Sequence, residues 1–287
     1  MAPWRDRAGR VSALKLVAFA ALFVPALWVT WQWQQGLLGP RTLNEAIHQI
    51  GLWATRLLLV ALAVTPARSL FHWPEVMQLR RMTGVAVFLY VALHLLLYAA
   101  DMKWRLGIVV SEIASRVYLT IGFAALAILA AMAATSFDRA VKALGGARWR
   151  RLHRGVYAAG VLVMVHAALQ SKADVSEAML MSGLFVWLMG WRLLKRWERT
   201  GPAALVGLSV AAAALTALIE AGWYAFGTGI DARLVLAANL DVSFGLRPAL
   251  WVGLAGLAVT AASWLRHRVA PPPRRRERRA AMRAADA

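Results

Sequence analysis

Long apolar runs separated by short polar segments dominate the chain. A helix needs about 20 mostly apolar residues to cross the hydrocarbon core of a membrane. Eight stretches reach about that length, at residues 11–33, 46–66, 82–100, 117–134, 154–170, 177–194, 203–226 and 248–265. The segments between them are rich in Pro, Gly, Asp, Arg and Trp, which is typical of span ends. The pattern predicts an all-α polytopic transmembrane bundle of about eight spans.

The basic residues alternate between the two sides of this predicted bundle. With the N-terminus in the cytoplasm, 25 of the 33 Lys and Arg residues fall in cytoplasmic segments and 7 on the opposite side. Cytoplasmic loops carry such an excess, so both termini are predicted to be cytoplasmic. The net charge of +19 therefore needs no nucleic-acid partner. The Arg-rich end is predicted to lie on membrane lipids.

The amino-acid composition of the chain changes after the sixth span. Residues 1–200 hold most of the His, Tyr and Arg residues, and they are predicted to form a six-helix core. Residues 201–266 are rich in Ala, Leu and Gly and are predicted to form an additional transmembrane hairpin. Residues 267–287 are predicted to be a disordered basic cytoplasmic tail.

Composition restricts the chemistry. Hydrophobic residues make up 60% of the chain and charged residues 16%, as expected for a membrane protein. The chain has no cysteine, which excludes disulfides, thiolate ligation and Cys-bound iron–sulfur clusters. Six histidines remain as candidate metal ligands.

Two of these histidines lie deep inside spans. His94 is 13 residues beyond Arg81, and His166 is 13 residues beyond His153. At the rise of an α-helix, each lies about 20 Å from the cytoplasmic edge. The two imidazoles are thus predicted at one depth on parallel helices, which is what a six-coordinate haem iron needs. An alternative is that each His bonds only to a neighbouring helix.

The remaining ionisable residues are more ambiguous. His48, His72 and His267 are predicted to be interfacial or solvated, and an alternative for His48 is contact with the edge of a cofactor. Arg56 in the second span has two interpretations, because it could extend to the interface or pair with a haem propionate. Glu220 near the end of the seventh span is expected to extend to the interface.

Four stretches resemble the family of haem-binding membrane subunits of the periplasmic methionine sulfoxide reductase system, a branch of the ferric-reductase-like transmembrane group. The stretches are LWATRLLLVALAVTPARSL (52–70), LRRMTGVAVFLYVALHLLLY (79–98), SRVYLTIGFAALAILAAMAATS (115–136) and GGARWRRLHRGVYAAGVLVMVHAALQSKAD (145–174). The resemblance covers roughly residues 10–198. It does not extend to the last two spans.

The resemblance implies a b-type haem electron carrier in a bacterial inner (plasma) membrane, with three haem-related histidines, His94, His153 and His166. Its electron donor would be a cytoplasmic flavin reductase or the quinone pool. Its acceptor would be a periplasmic reductase that contains a molybdopterin cofactor and repairs oxidised methionine in proteins. The family is also associated with FMN. The chain would be a redox subunit with no substrate turnover of its own.

The cytoplasmic end of the third span departs from di-haem relatives such as the NADPH oxidases. Those relatives carry a His near the position of Arg80 and Arg81, and Arg is not a normal haem ligand. An inner site at His153 would therefore hold either a second haem with an unusual ligand or a flavin. Electrons are expected to enter there, where Arg151 adds to a cationic surface that suits an anionic flavin or an acidic reductase.

Two further hypotheses remain. One is another haem relay, such as a ferric reductase or a quinone-linked cytochrome b. The other is a non-redox membrane transporter, in which the intramembrane His and Arg would line a polar path. The chain has no dinucleotide-binding fingerprint, so it has no nicotinamide site of its own.

Overall fold

The computed structural model describes residues 4–5, 9–171, 174–243 and 245–269. Within these residues the structure is helical and contains no β-strand. The helices are α1 (Ala13–Ala21), α2 (Val24–Gln34), α3 (Thr42–Leu70), α4 (Arg80–Asp101), α5 (Leu106–Ser115), α6 (Val117–Ala134), α7 (Asp138–Leu144), α8 (Gly146–His153), α9 (Gly155–Gln170), α10 (Ser176–Arg196), α11 (Pro202–Thr228), α12 (Ala232–Ala238) and α13 (Pro248–Val269). A 3₁₀ turn, Pro74–Leu79, precedes α4.

Eight segments are long and apolar enough to cross a membrane, which confirms the predicted all-α polytopic bundle. Their order matches the eight predicted spans, but several boundaries differ. The second span extends to Thr42–Leu70, and the first is divided into α1 and α2. The short apolar helix α5 between the third and fourth spans was not predicted. Most of the predicted tail, 267–287, lies outside the described residues.

The break between α1 and α2 is stabilised by a tyrosine from α4. Pro25 has no N–H and its ring crowds the preceding turn, which interrupts a helix. The buried Tyr90 hydroxyl donates to the Leu22 carbonyl at 2.6 Å and accepts from the Ala26 N–H at 3.2 Å. This hydroxyl therefore replaces the helical bond between Leu22 and Ala26, and it joins the first span to α4.

A second proline interrupts the hydrogen bonding of α3. Pro66 cannot donate to the carbonyl of Leu62, four residues before it. Arg192 of α10 donates to that carbonyl at 2.6 Å and to Leu188 of its own helix at 2.7 Å. The guanidinium also lies 5.5 Å from the ring centre of Tyr157 in α9. Arg192 thus connects three helices around a carbonyl that proline leaves without its helical partner.

The last two spans pack on the core through α10. Gly183 of α10 allows close contact, since a Cβ there would lie 2.2 Å from Thr216 of α11 and 2.5 Å from Val252 of α13. Trp187 of α10 donates to Ser209 of α11 at 3.2 Å. The two terminal spans are therefore closely packed against the sixth.

The expectation that Glu220 extends to the interface is wrong. Its side chain is fully buried, and its carboxylate accepts from Arg247 at 2.5 Å and from Asn239 at 2.8 Å. Burying a charge is costly unless it is paired and hydrogen-bonded. Because this ion pair neutralises the carboxylate, Glu220 does not need to reach water. The pair also links α11 to the segment just before α13.

Candidate functional site

The structure brings the two deep histidines together. His94 of α4 and His166 of α9 face each other with their ring centroids 6.2 Å apart and their planes at 89°. The helices α4 and α9 begin at the same end of the bundle. We call this the basic end, defined by Arg80, Arg81, Arg150 and Arg151. The depth argument from the sequence predicted such a meeting.

Each imidazole bonds a backbone carbonyl on a neighbouring helix. Nδ1 of His94 lies 2.9 Å from the Ile47 carbonyl of α3, and Nδ1 of His166 lies 2.8 Å from the Tyr118 carbonyl of α6. A carbonyl only accepts, so Nδ1 of each ring carries the proton. The lone pair is then on Nε2, which is the nitrogen available to a metal in both rings.

The spacing of the rings fits one metal ion bound by both. A metal–imidazole bond of about 2 Å, with about 1.1 Å from nitrogen to ring centre on each side, puts the two ring centres roughly 6 Å apart. The observed 6.2 Å agrees with this value. Two neutral imidazoles on neighbouring helices suit haem iron, so these residues would fit a haem held by two histidines.

His153 lies near the basic end but does not face this pair. Its ring stacks on Trp149, with the centroids 3.9 Å apart, and its Nε2 lies 3.2 Å from the Thr135 hydroxyl. The Trp149 indole in turn donates to the Thr135 carbonyl at 2.9 Å. His153 is therefore part of a local polar cluster between α6 and α8.

The predicted basic surface is present at this end. Arg80 and Arg151 are exposed, and Arg81 bonds the Asp138 carboxylate of α7 at 2.7 Å. This guanidinium lowers the pKa of Asp138. The carboxylate thus stays ionised and neutralises one arginine, while the others leave a cationic surface.

Arg56 is paired within the protein. Its guanidinium bonds the Glu177 carboxylate of α10 at 2.6 Å and lies 4.8 Å from the ring centre of Trp53. From the sequence, Arg56 was expected to reach the interface or a haem propionate, and its pairing with Glu177 was not predicted. A signal for this partner was present in the sequence, because Glu177 is the acidic residue in the first turn of α10.

Comparison with known proteins agrees with the geometry. Residues 50–165 match the family described as the ferric reductase like transmembrane component, a segment that contains His94 and His153 and ends just before His166. The protein-methionine-sulfoxide reductase heme-binding subunit MsrQ of Rhodospirillum rubrum is 39% identical over 202 residues, covering 69% of this chain and 95% of that protein. The MsrQ subunit of Caulobacter vibrioides is 37% identical, over 63% of this chain and 86% of its own.

The chain belongs to the MsrQ family. The MsrQ subunit of Azospira oryzae, at 32% identity, covers 67% of this chain and 84% of its own. This member of the MsrQ family is thus a multi-pass membrane protein that is longer than these relatives. No solved structure matches the chain.

The other three histidines are not part of the central pair, although His48 directly follows Ile47, whose carbonyl bonds His94. His48 is exposed near the start of α3. His72, which follows α3, contacts His267 of α13, with ring centroids 4.5 Å apart. Within the described residues, no group of three or more His, Asp or Glu side chains could hold a metal ion. In this MsrQ-family chain, the pair His94 and His166 is therefore the candidate metal-binding site.

Proposed function

We propose that this chain binds a b-type haem between His94 and His166 and passes electrons to a methionine sulfoxide reductase. The observation that carries the proposal is the 6.2 Å separation of two imidazoles whose Nδ1 atoms are both bonded to carbonyls. Membership of the MsrQ family supports it, because the relatives are named heme-binding subunits of that reductase.

The two histidines determine which chemistry is available. When bound, the haem supplies a one-electron iron couple. His94 and His166 would both ligate the iron and leave no ligand position for oxygen, so the site would favour electron transfer over oxygen chemistry. Protonated Nδ1 atoms held by backbone carbonyls also prevent the rings from rotating.

The orientation that we propose for the chain in the membrane rests on its charge distribution. We place the basic end in the cytoplasm of a bacterium and both termini on that side, in agreement with the excess of Lys and Arg in those segments. Electrons then come from a cytoplasmic flavin reductase or the quinone pool. They leave at the periplasmic face to a reductase with a molybdopterin cofactor.

A second redox site near the basic end is part of the proposal. It would use His153, Arg80, Arg81 and Arg151, either for a second haem or for FMN. The exposed arginines suit an anionic flavin. Binding of a second haem through the His153 Nε2 atom would require that atom to leave its contact with the Thr135 hydroxyl. Arg56 already donates to Glu177 through Nε and Nη2, so a haem propionate would have to bond its remaining donors or displace Glu177.

The domain boundaries are also proposed. Residues 1–200 would form the haem-binding core, residues 201–266 an additional hairpin, and the Arg-rich remainder a tail on anionic lipid. The close packing at Gly183 and the Trp187–Ser209 bond support a hairpin that folds together with the core.

The test is the visible spectrum of the purified protein, with haem supplied during expression. The wild type should show the reduced α-band of a low-spin b-type haem, and His94→Ala and His166→Ala should each abolish it. His267→Ala is the matched control, since this histidine lies in the last turn of α13, beside His72 and away from the pair. A colourless wild type would contradict the proposal and favour a transporter.

A second assay separates the electron-transfer alternatives. The dithionite-reduced protein is mixed with a methionine sulfoxide reductase that contains molybdopterin, and haem reoxidation is followed after methionine sulfoxide is added. Reoxidation that needs both the reductase and the sulfoxide supports the proposed partner. Reoxidation by ferric chelates alone would instead favour a ferric reductase.

A further inference from the structure

Two glycines lie directly against the two imidazoles. A Cβ built on Gly51 of α3 would stand 2.9 Å from Nδ1 of His94, and one on Gly122 of α6 would stand 2.8 Å from Nδ1 of His166. Nonbonded carbon atoms pack best at about 3.5–4.0 Å, so both distances imply a clash. Each position therefore requires glycine as long as the ring stays in place.

The same two helices supply the carbonyls that the rings bond. Ile47 lies four residues before Gly51, and Tyr118 lies four residues before Gly122. In an α-helix the Cα–Cβ bond tilts toward the N-terminus, so a side chain covers the turn before it. Because glycine leaves this turn uncovered, the imidazole N–H can reach a carbonyl that also accepts a backbone hydrogen bond within its own helix.

This arrangement occurs twice in separate parts of the chain. His94 lies on α4 against α3, and His166 lies on α9 against α6. In both cases the glycine follows the accepting carbonyl by four residues. The ring contacts are also alike, since Cε1 would lie 3.0 Å from a Cβ on Gly51 and 2.8 Å from one on Gly122. Two independent helix pairs thus hold a histidine in the same way.

We propose that Gly51 and Gly122 are positioning residues for the two haem ligands, an inference that rests on the proposed function. They allow the Nδ1–H···O=C bonds, which fix the tautomer and direct Nε2 to the iron. They also set how far each ring stands from its neighbouring helix, and so contribute to the 6.2 Å separation of the rings. Alanine at either position would push the ring inward and break its bond.

The expected effect is on haem affinity and on the reduction potential. Loss of a hydrogen bond to a metal-bound histidine typically lowers metal affinity about 10–100-fold. The bond makes imidazole a better electron donor, so its loss should weaken binding of the oxidised form more than the reduced form. A tenfold difference between the two forms corresponds to a rise in midpoint potential of about 59 mV.

The experiment compares Gly51→Ala and Gly122→Ala with Gly84→Ala. Gly84 lies on α4 with no atom within 4 Å of an added Cβ, which makes it a matched control. Haem content, midpoint potential and thermal melting in detergent are measured for each. The proposal expects both test variants to lose haem affinity at least tenfold or to gain potential, while Gly84→Ala keeps the wild-type values. Wild-type affinity and potential in both test variants would overturn it.

A measurement on the wild type covers the case in which an alanine variant does not fold. The Nδ1 protons of the axial ligands are followed by electron–nuclear double resonance in the ferric protein during exchange into D₂O. Two hydrogen-bonded protons that exchange slowly are expected. Rapid exchange of both, with a bis-histidine spectrum intact, would overturn the role of the glycines only. If the wild-type protein shows no bis-histidine haem spectrum at all, that result would instead contradict the proposed function.

Discussion

Replacing Tyr90 with Phe tests how the first span is held on α4. The Tyr90 hydroxyl fills the break at Pro25 by bonding the Leu22 carbonyl at 2.6 Å and the Ala26 N–H at 3.2 Å. The substitution removes one oxygen atom and leaves the ring in place. It therefore isolates these two bonds from the packing of the side chain.

The magnitude follows from the number of bonds lost. A hydrogen bond between helices in a membrane contributes on average about 0.6 kcal/mol and at most about 1.7 kcal/mol. Two lost bonds thus predict a destabilisation of about 1–3 kcal/mol. The lower end applies if the Ala26 N–H then bonds the Leu22 carbonyl directly, because the helix would repair part of the loss.

Unfolding in mixed micelles with increasing SDS measures this change. Tyr224→Phe is the control, because within the described residues no hydrogen bond of its hydroxyl is found, and it should unfold like the wild type. Tyr90→Phe should unfold at lower SDS. Equal stability of Tyr90→Phe and the wild type would refute the bridging role of this hydroxyl.

Two further substitutions probe the other buried polar contacts. Arg192→Met leaves the Leu62 carbonyl without a donor and should destabilise the protein by about 1–2 kcal/mol in the same assay. Because Pro66→Ala restores the missing N–H, the loss should be smaller in that background, and an equal loss would argue against this role of Arg192. Glu220→Gln leaves the Arg247 charge, which is one-third exposed, without its partner and should cost about 1–3 kcal/mol. Restoration by the double variant with Arg247→Met is expected, and an unchanged melting curve for Glu220→Gln would contradict the pairing.

The length of the apolar runs was sufficient to predict the spans but not the places where a span is interrupted. The eight apolar stretches were visible because a membrane helix needs a long run of apolar residues. Pro25 lies inside the first stretch, and a proline in a membrane helix is tolerated when a neighbouring group satisfies the freed backbone. Which group does so depends on tertiary contacts, so Tyr90 could not be identified from the pattern.

The histidine pair was predictable because helical rise converts residue number into depth. His94 and His166 each lie 13 residues from a basic residue at the start of their helix, and this spacing put them at one level. The glycine contacts were not predictable in this way. Nothing in the sequence around Gly51 or Gly122 shows which helix packs against it, since that depends on how the hairpins associate.

The charged partners were missed for a related reason. Arg56 and Glu177 lie 121 residues apart in sequence, and Glu220 meets Arg247 across a connecting segment. An intramembrane charge predicts a partner, as the high cost of an isolated charge requires. The sequence does not show which of several acidic residues is the partner, because that depends on the three-dimensional packing.

Electron paramagnetic resonance of the ferric protein tests the central claim most directly. The His94 and His166 planes stand at 89° to each other. Perpendicular axial imidazoles leave two iron d orbitals nearly equal in energy, which gives a strongly axial low-spin signal with one large g value. The account predicts this signal in the wild type and its loss in His94→Ala and His166→Ala. A high-spin signal, or a low-spin signal unaffected by either substitution, would contradict haem ligation by this pair.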